Sequence, residues 1–194
     1  METSRKPNYP IQALILHRHS PRAMSGASLS DDELMPLFEA ARWAPSSYNA
    51  QPWRFVYAHR DTEHWDTFFN FLVEFNQSWA KNAAVLVVVL SRRLFEKNDK
   101  PAPTHAFDAG AAWENLALEA SSRNLVAHGM EGFDYVAARE KLGVPDEYDV
   151  QAMIAIGKPG RKEDLPEDLQ EGEVPSDRRA LEEIVMEGRF RSNL

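Results

Sequence analysis

The 194-residue sequence contains no cysteine, and this absence excludes several kinds of chemistry. Disulfide bonds, thiolate nucleophiles and cysteine-ligated metal sites all depend on the sulfur of cysteine. The six histidines do not supply an alternative metal site, because they do not cluster at metal-binding spacing. His17 and His19, for example, are two residues apart and would diverge on a helix. We therefore expect neither a metal centre nor cysteine-based catalysis.

Several motifs that hold nucleotides or activate nucleophiles are also missing from the sequence. There is no Gly-x-Gly-x-x-Gly after a strand, no Walker loop, no Gly-x-Ser-x-Gly elbow and no His-Glu-x-x-His. The sequence therefore supports neither a Rossmann NAD domain nor a metallohydrolase.

Long apolar runs and a positive net charge are lacking as well. The longest apolar run, Ala83 to Leu90, is too short to span a bilayer, and the first residues lack the apolar core of a secretory signal. We therefore expect a cytoplasmic protein without a membrane partner. The formal charge of −8 argues against nucleic acid as a partner, because binding the phosphate backbone needs a basic face. An anionic ligand would need a local cationic cluster.

The composition, with 43% hydrophobic and 27% charged residues, is that of a soluble globular protein. The length favours a single domain over residues 1–194. The unbroken β-branched run at 83–90 predicts a strand covered on both faces, which places the sheet between helical layers. Residues 91–103 are predicted to form a loop, and 160–173 a solvated, mobile connection. Apolar periodicity and a capping box at Ser30 predict helices at 9–18, 31–41, 65–73, 107–120, 136–142 and after Arg179, and strands at 54–59, 83–90 and 149–157.

Basic residues and a hydroxyl are concentrated where the first predicted helix ends. Arg18, His19, Ser20 and Arg22 surround Pro21, which disfavours helix at the residue before it. These groups can therefore converge on one small anion. The alternative is that they form a solvated face or interact favourably with the helix dipole.

A second polar stretch links the helix after Ser30 to the strand at 54–59. It contains Pro45, Ser46, Ser47, Asn49 and Gln51, so four neutral hydrogen-bonding side chains lie within six residues. Proline stiffens the backbone and removes a donor, which leaves these side chains on a rigid support. The alternative is a helix stop followed by an ordinary turn.

Three further positions are candidates for ligand contacts. Asn76 carries an amide that both donates and accepts, although it could equally be the last residue of a helix. Gly129 and Gly132 allow close backbone approach or a positive φ angle, although they also fit a turn between helices. Arg178 and Arg179 precede the last predicted helix, and alone they would be ordinary surface charges.

Taken in order, five motifs resemble the FMN-dependent nitroreductase family. They are Arg-His-Ser-x-Arg at 18–22, Pro-Ser-Ser-Tyr-Asn-x-Gln-Pro-Trp-x-Phe at 45–55, Phe-Asn-Gln-Ser-Trp at 75–79, Asp-Ala-Gly-Ala-Ala-x-x-Asn-Leu at 108–116 and Glu-Gly-Phe-Asp at 131–134. The resemblance covers roughly residues 10–190. It implies an α+β three-layer sandwich, with a mixed, mostly antiparallel sheet flanked by helices. It also implies a homodimer with two FMN sites at the interface, in which 108–116 belongs to the central interface helix. The alternative is that this helix is buried in the core of a monomer.

The resemblance also implies roles for individual residues. The cationic cluster would hold the FMN phosphate, with Arg178 or Arg179 completing the clamp, while Ser176 stands where some relatives carry another cation. The 45–51 loop would reach the flavin of the opposite subunit. Asn76 would contact the pyrimidine edge of the flavin, and a main-chain amide near Gly132 would meet the flavin N5 atom. The complete expected set is Arg18, His19, Ser20, Arg22, Pro45, Ser46, Ser47, Asn49, Gln51, Asn76, Glu131, Gly132, Arg178 and Arg179.

The implied function is an NAD(P)H-dependent FMN oxidoreductase. Hydride would pass from NADH or NADPH to the flavin and on to a nitroaromatic, quinone or similar small acceptor, with ping-pong kinetics. No side chain is assigned as nucleophile, acid or base. Two alternatives stay open: another flavin reaction on the same scaffold, such as reductive dehalogenation or flavin fragmentation, or a flavin-binding module without turnover.

Overall fold

The computed structural model describes residues 5–191 and folds them into four strands, eight α-helices and two short 3₁₀ turns at Ser47–Asn49 and Lys162–Asp164. The strands are β1 (Trp53–His59), β2 (Val85–Arg92), β3 (Val126–Met130) and β4 (Tyr148–Gly157). The helices are α1 (Ala13–His17), α2 (Asp31–Arg42), α3 (Trp65–Phe69), α4 (Glu74–Ala80), α5 (His105–Ser122), α6 (Tyr135–Lys141), α7 (Glu167–Gln170) and α8 (Leu181–Ile184).

The strands form one sheet in the order β1-β2-β4-β3, and every neighbouring pair is antiparallel. Val88 of β2 pairs with Val56 of β1 on one side and Met153 of β4 on the other. The predicted α+β fold class is confirmed. The expected mixed sheet is antiparallel throughout the described residues.

Strand β2 is the centre of the core, as its β-branched sequence predicts. Residues 85–90 are all buried, and alternate side chains enter two separate apolar clusters because successive residues of a strand face opposite sides. One cluster contains side chains of α3, α4 and α6, and the other contains side chains of α2 and α5. The sheet therefore lies between two helical layers.

Helix α2 shows why one helix begins where the sequence predicts. The Glu33 carboxylate accepts a hydrogen bond from the Ser30 amide at 3.0 Å, which is the second half of the predicted capping box. Leu34 and Leu37 are fully buried. The helix therefore points the 44–52 segment that follows it toward β1.

Three segments differ from the sequence predictions. The predicted helix at 65–73 ends early, as α3 at Phe69, because Leu72 leaves the helical register and forms a bridge with Phe133; the separate helix α4 begins at Glu74, beyond the predicted bounds. The connection at 160–173 is anchored by Leu165 and Leu169, which are buried, and is not simply solvated. Strand β3 was missed, because it is short and contains a glycine.

The first predicted helix is also shorter than expected. The apolar stripe of Ile11, Leu14 and Ile15 is present, but α1 spans only Ala13–His17 and none of its residues is buried. Ile11 is 51% exposed and Ile15 is 50% exposed. Within residues 5–191, no helix is both long and apolar enough to cross a membrane.

Candidate functional site

A cavity of about 270 Å³ opens between the segment that follows α1 and residues 172–178. Its most unusual property is its charge, because four arginines line it in a chain whose formal charge is −8. Guanidinium groups present planar sets of N–H donors that match the oxygens of phosphate and carboxylate groups. The lining consists of Arg5, Arg18, Arg22 and Arg178 with His19, Ser20, Pro21, His128, Gly172, Glu173, Val174 and Ser176.

Arg5 connects the two segments that form the cavity. Its Nη1 atom donates to the carbonyl oxygens of Leu16 and Arg18 at 3.0 and 2.8 Å, and its Nε atom donates to Ser176 O at 2.8 Å. Burial lowers the pKa of Arg5, and the nearby guanidinium groups of Arg178 and Arg18 lower it further. The positive charges are therefore crowded enough to perturb one another.

Arg18 and Arg178 are held by oxygens of their own surroundings. Arg18 Nη1 donates to Ser20 Oγ at 3.2 Å, and Arg18 Nε lies 3.5 Å from the Glu114 carboxylate on α5. Arg178 Nη1 donates to the carbonyl and the hydroxyl of Ser176, both at 3.2 Å. Each arginine is thus oriented at the cavity by at least one nearby acceptor.

Glu173 places a carboxylate beside these cations, but its bonds go to the backbone. Its Oε1 atom accepts from the amides of Arg22 and Ala23 at 2.6 and 2.7 Å. A carboxylate that accepts two amide N–H groups fixes the turn that contains them. Glu173 therefore holds the turn after Pro21 against residues 172–178.

Arg22 has an unmet hydrogen-bonding requirement. Its Nε atom is buried and has no hydrogen-bond partner among residues 5–191, and leaving such a donor unpaired costs about 1–3 kcal/mol. Its guanidinium carbon lies 6.0 Å from the centroid of the Phe75 ring. The side chain of Arg22 therefore lies between the cavity and α4. Its Nε–H group can donate a hydrogen bond to an acceptor atom of a bound ligand.

His128 of β3 lines the same cavity. Its Nδ1 atom lies 3.1 Å from Pro21 O, and its ring centroid lies 4.6 Å from that of Trp79 on α4. Burial of the ring is the main cause that lowers the pKa of His128, and the charge of Arg22 lowers it further, although the Pro21 carbonyl opposes the shift. The shift favours the neutral imidazole.

Asn76 and Gly132 are in direct contact. Asn76 is 8% exposed, and its Nδ2 atom donates to Gly132 O at 3.0 Å. A β-carbon at Gly132 would lie 2.8 Å from that Nδ2 atom and 3.1 Å from Val73 Cγ2. The need for glycine here comes from this close approach. Phe75 and Trp79 of the same helix contact Arg22 and His128, which line the cavity. Asn76 and Gly132 themselves do not line it.

The 45–51 loop does not line the cavity. Tyr48, Asn49 and Gln51 have φ angles of 51°, 54° and 47°, a left-handed conformation that is unfavourable for residues with a side chain. Inside the loop, Ser46 Oγ accepts from the Gln51 amide at 3.0 Å. Tyr48 is 94% exposed and meets Phe95 edge to face at 5.9 Å.

The structure divides the expected site residues into groups. It brings Arg18, His19, Ser20, Arg22 and Arg178 together at the cavity. Asn76 and Gly132 contact each other but do not line the cavity. The loop residues Pro45, Ser46, Ser47, Asn49 and Gln51 do not line it either. Glu131 is exposed. Arg179 does not line the cavity and lies 4.0 Å from the Glu183 carboxylate. Among residues 5–191, no group of three or more His, Asp or Glu side chains is arranged to hold a metal ion.

Sequence reasoning missed Arg5, His128 and Glu173 as cavity residues. Their partners lie far away in the chain: Arg5 contacts Ser176 across 171 positions and Glu173 contacts Arg22 across 151. No motif or periodicity identifies such contacts. An isolated charge near a predicted cationic cluster is the only signal that the sequence offers.

A family model and a solved structure both match most of this chain. A model of the Nitroreductase family matches residues 15–158, which is more than half of the chain. A solved structure described as an oxidoreductase containing FMN has a TM-score of 0.94 and 47% sequence identity, and the match covers 98% of each chain.

Two curated proteins show shorter matches. An uncharacterized 15.4 kDa protein of Mycolicibacterium smegmatis is 36% identical over 120 residues, which are 61% of this chain and 80% of that protein. The oxygen-insensitive NADPH nitroreductase of Helicobacter pylori (strain ATCC 700392 / 26695) is 38% identical over 82 residues, which are 41% of this chain and 38% of that enzyme. The second match is therefore local.

We predict that the His128→Asn variant loses less stability on acidification than the wild-type protein does. Because the pKa of His128 is lowered in the folded state, the unfolded chain binds more protons between that pKa and the unfolded value of about 6.5. The free energy of unfolding therefore falls as the pH drops through this window. Thermal melting at about pH 7.5 and about pH 5.5 should show a smaller decrease for His128→Asn than for wild type.

The control is His64→Asn, at an exposed position in the turn before α3. This variant should show the full wild-type decrease. Equal decreases in wild type and His128→Asn would contradict the assignment of the buried, neutral imidazole.

Proposed function

This chain belongs to the nitroreductase family, and from this membership we propose that it is an FMN-dependent oxidoreductase that uses NADH or NADPH as its reductant. The observation that carries the proposal is the arginine-lined cavity, one of whose lining residues, Arg22, has a buried Nε atom without a hydrogen-bond partner among residues 5–191. The FMN in the similar solved structure supports the same cofactor here.

The cavity suits the phosphate end of FMN. Arg18, Arg22 and Arg178 supply N–H donors, and Ser20 supplies a hydroxyl, at one place on an otherwise acidic chain. A phosphate that carries up to two negative charges would offset the mutual repulsion of the guanidinium groups. A bound phosphate would therefore neutralise positive charge that the carbonyl and hydroxyl acceptors of the folded chain stabilise but do not neutralise.

The neighbouring groups suit the flavin ring. Arg22 Nε is a buried donor in need of an acceptor, and we assign it to the N1/O2 edge of the ring. Asn76 lies beside Gly132, and we assign its amide to the pyrimidine edge, whose donors and acceptors an amide can match. The missing side chain at Gly132 lets the main chain approach the N5 atom closely.

We further propose a homodimer in which the 45–51 loop serves the site of the partner subunit. The loop lies apart from the cavity of its own chain. The apolar stripe on α1 is exposed, and Phe107 on α5 is 80% exposed. Burying such residues against a second copy removes apolar surface from water. Ser46, Ser47 and Asn49 would then complete a site shared by two chains.

Bound FMN supplies the redox chemistry, since it can take a hydride from the nicotinamide and pass electrons to an acceptor. The residues of the chain bind and orient the reactants, and none is assigned as nucleophile, acid or base. The oxidised nucleotide leaves before the acceptor occupies the same place, so ping-pong kinetics are expected. The proposed acceptors are nitroaromatics, quinones and similar small molecules.

The direct test is the colour of the purified protein. It should be yellow from bound FMN, and NADH or NADPH should bleach it under anaerobic conditions, with colour returning when a quinone or nitroaromatic is added. Colour that neither nucleotide bleaches would contradict the proposed activity and favour a binding module without turnover. A protein that binds no FMN would contradict the proposal altogether.

Adjacent arginines provide a test of the phosphate site. Arg18→Ala and Arg178→Ala should each weaken FMN binding about ten- to a hundredfold, because a hydrogen bond to a charged group contributes about 1.5–3 kcal/mol. Arg179→Ala is the matched control, since Arg179 does not line the cavity. Fluorescence titration of the apoprotein measures all three affinities. Equal effects at Arg178 and Arg179, or no effect at Arg18, would reject the site.

A further inference from the structure

A buried carboxylate on α5 is not used by the function proposed above. Asp108 is 5% exposed. In the described part of the chain, the other buried polar residues are Asn76 and Ser91, so Asp108 is the single buried residue with an ionisable side chain there. Burial of a charged group is unfavourable unless other groups satisfy it. The position of Asp108 therefore requires a specific partner.

That partner is the 45–51 loop. Asp108 Oδ2 accepts from the Ser47 amide at 3.1 Å and from Thr104 Oγ1 at 3.3 Å. Charge-assisted hydrogen bonds of this kind are stronger than neutral ones. The first bond joins two segments that are 61 positions apart in sequence, and it directly precedes the residues with positive φ angles.

Those residues need external support. Tyr48, Asn49 and Gln51 adopt a conformation that residues with side chains persist in only where their surroundings impose it. The other hydrogen bonds that hold the loop come from the loop itself and from Arg54 of β1, whose Nη1 atom donates to Gln51 O at 3.0 Å. Asp108 supplies a hydrogen bond from outside the loop, from helix α5.

An acidic residue in the first turn of a helix commonly stabilises the helix through its dipole. An exposed carboxylate would serve that purpose equally well. The Asp108 carboxylate is buried and accepts from another element of the fold, so the helix dipole alone does not explain it.

We propose that Asp108 is a positioning residue for the reaction. Through the Ser47 amide it holds the strained 45–51 loop in the orientation that presents Ser46, Ser47 and Asn49 to the flavin. This inference rests on the proposed function of the loop. It assigns Asp108 no contact with the substrate or the cofactor.

The test uses Asp108→Ala and Asp108→Asn in the FMN-loaded protein. The alanine variant should retain FMN within about threefold, because the phosphate cavity is unchanged. Its rate of anaerobic bleaching by the nucleotide, measured by stopped flow at saturating FMN, should fall about tenfold, which corresponds to the loss of one hydrogen bond to a charged group. Asparagine keeps the volume and one acceptor, so its rate should fall by only about threefold.

Glu33→Ala is the matched control. The Glu33 carboxylate also accepts from one backbone amide and one hydroxyl, those of Ser30, at 3.0 and 3.2 Å, but it does so at the far end of α2 from the loop. If Asp108 had only a structural role, both variants would lower the melting temperature and both would keep the wild-type rate. We expect a lower melting temperature but an unchanged bleaching rate for Glu33→Ala.

Hydrogen exchange gives a readout that does not need the cofactor. In Asp108→Ala, amides of residues 46–51 should exchange on the order of tenfold faster, whereas Glu33→Ala should affect residues near Ser30. If wild-type protein is not bleached by either nucleotide, the proposed function fails, and exchange still decides whether Asp108 holds the loop.

Three results would overturn the inference. They are a bleaching rate of Asp108→Ala within twofold of wild type, an equal loss of rate in Glu33→Ala, or unchanged exchange at 46–51. If the alanine variant does not fold, Asp108→Asn decides: a wild-type rate would overturn the inference, and a reduced rate with retained FMN would support it.

Discussion

Repulsion among like charges is the constraint on which this structure depends most. Four guanidinium groups line one cavity of about 270 Å³, and they stay together because the folded chain provides oxygen acceptors around them. Carbonyl groups of α1 and of Ser176 accept from Arg5, Ser176 also accepts from Arg178, and Glu114 lies beside Arg18. Leu16 and Ser176, which both accept from Arg5, lie near opposite ends of the described chain, so residues 5–22 and 172–178 must meet for the cavity to form.

The sheet and its helices decide what that cavity adjoins. Strand β3 places His128 at the cavity, and α4, the helix that carries Asn76, places Phe75 beside Arg22. The 45–51 loop is fixed elsewhere, between Asp108 of α5 and the start of β1. The loop and the cavity are therefore two separated regions of one chain, which the proposed dimer would bring together in one site.

Patterns that act over a few residues were predictable from sequence, and contacts between distant segments were not. Three predicted features depend only on residues that are close in sequence, and the structure contains each of them. They are the β-branched run of β2, the capping box at Ser30 and the cationic residues near Pro21. Arg5 and Glu173 join the cavity through tertiary contacts that no local pattern specifies. The early end of the predicted helix at 65–73 likewise depends on a bridge between Leu72 and Phe133, which competes with helical periodicity.

The central claim is that one site is built from two chains, and a mixed dimer tests it most directly. One chain would carry Arg18→Ala, the other Ser47→Ala with Asn49→Ala, each under a different tag, with both parent homodimers nearly inactive. If each site combines the cavity of one chain with the loop of the other, one site of the isolated heterodimer contains every substituted residue and the other site contains none. About half of wild-type activity and one tightly bound FMN per dimer should therefore return. Recovery no greater than the mean of the two parent homodimers would contradict the shared site.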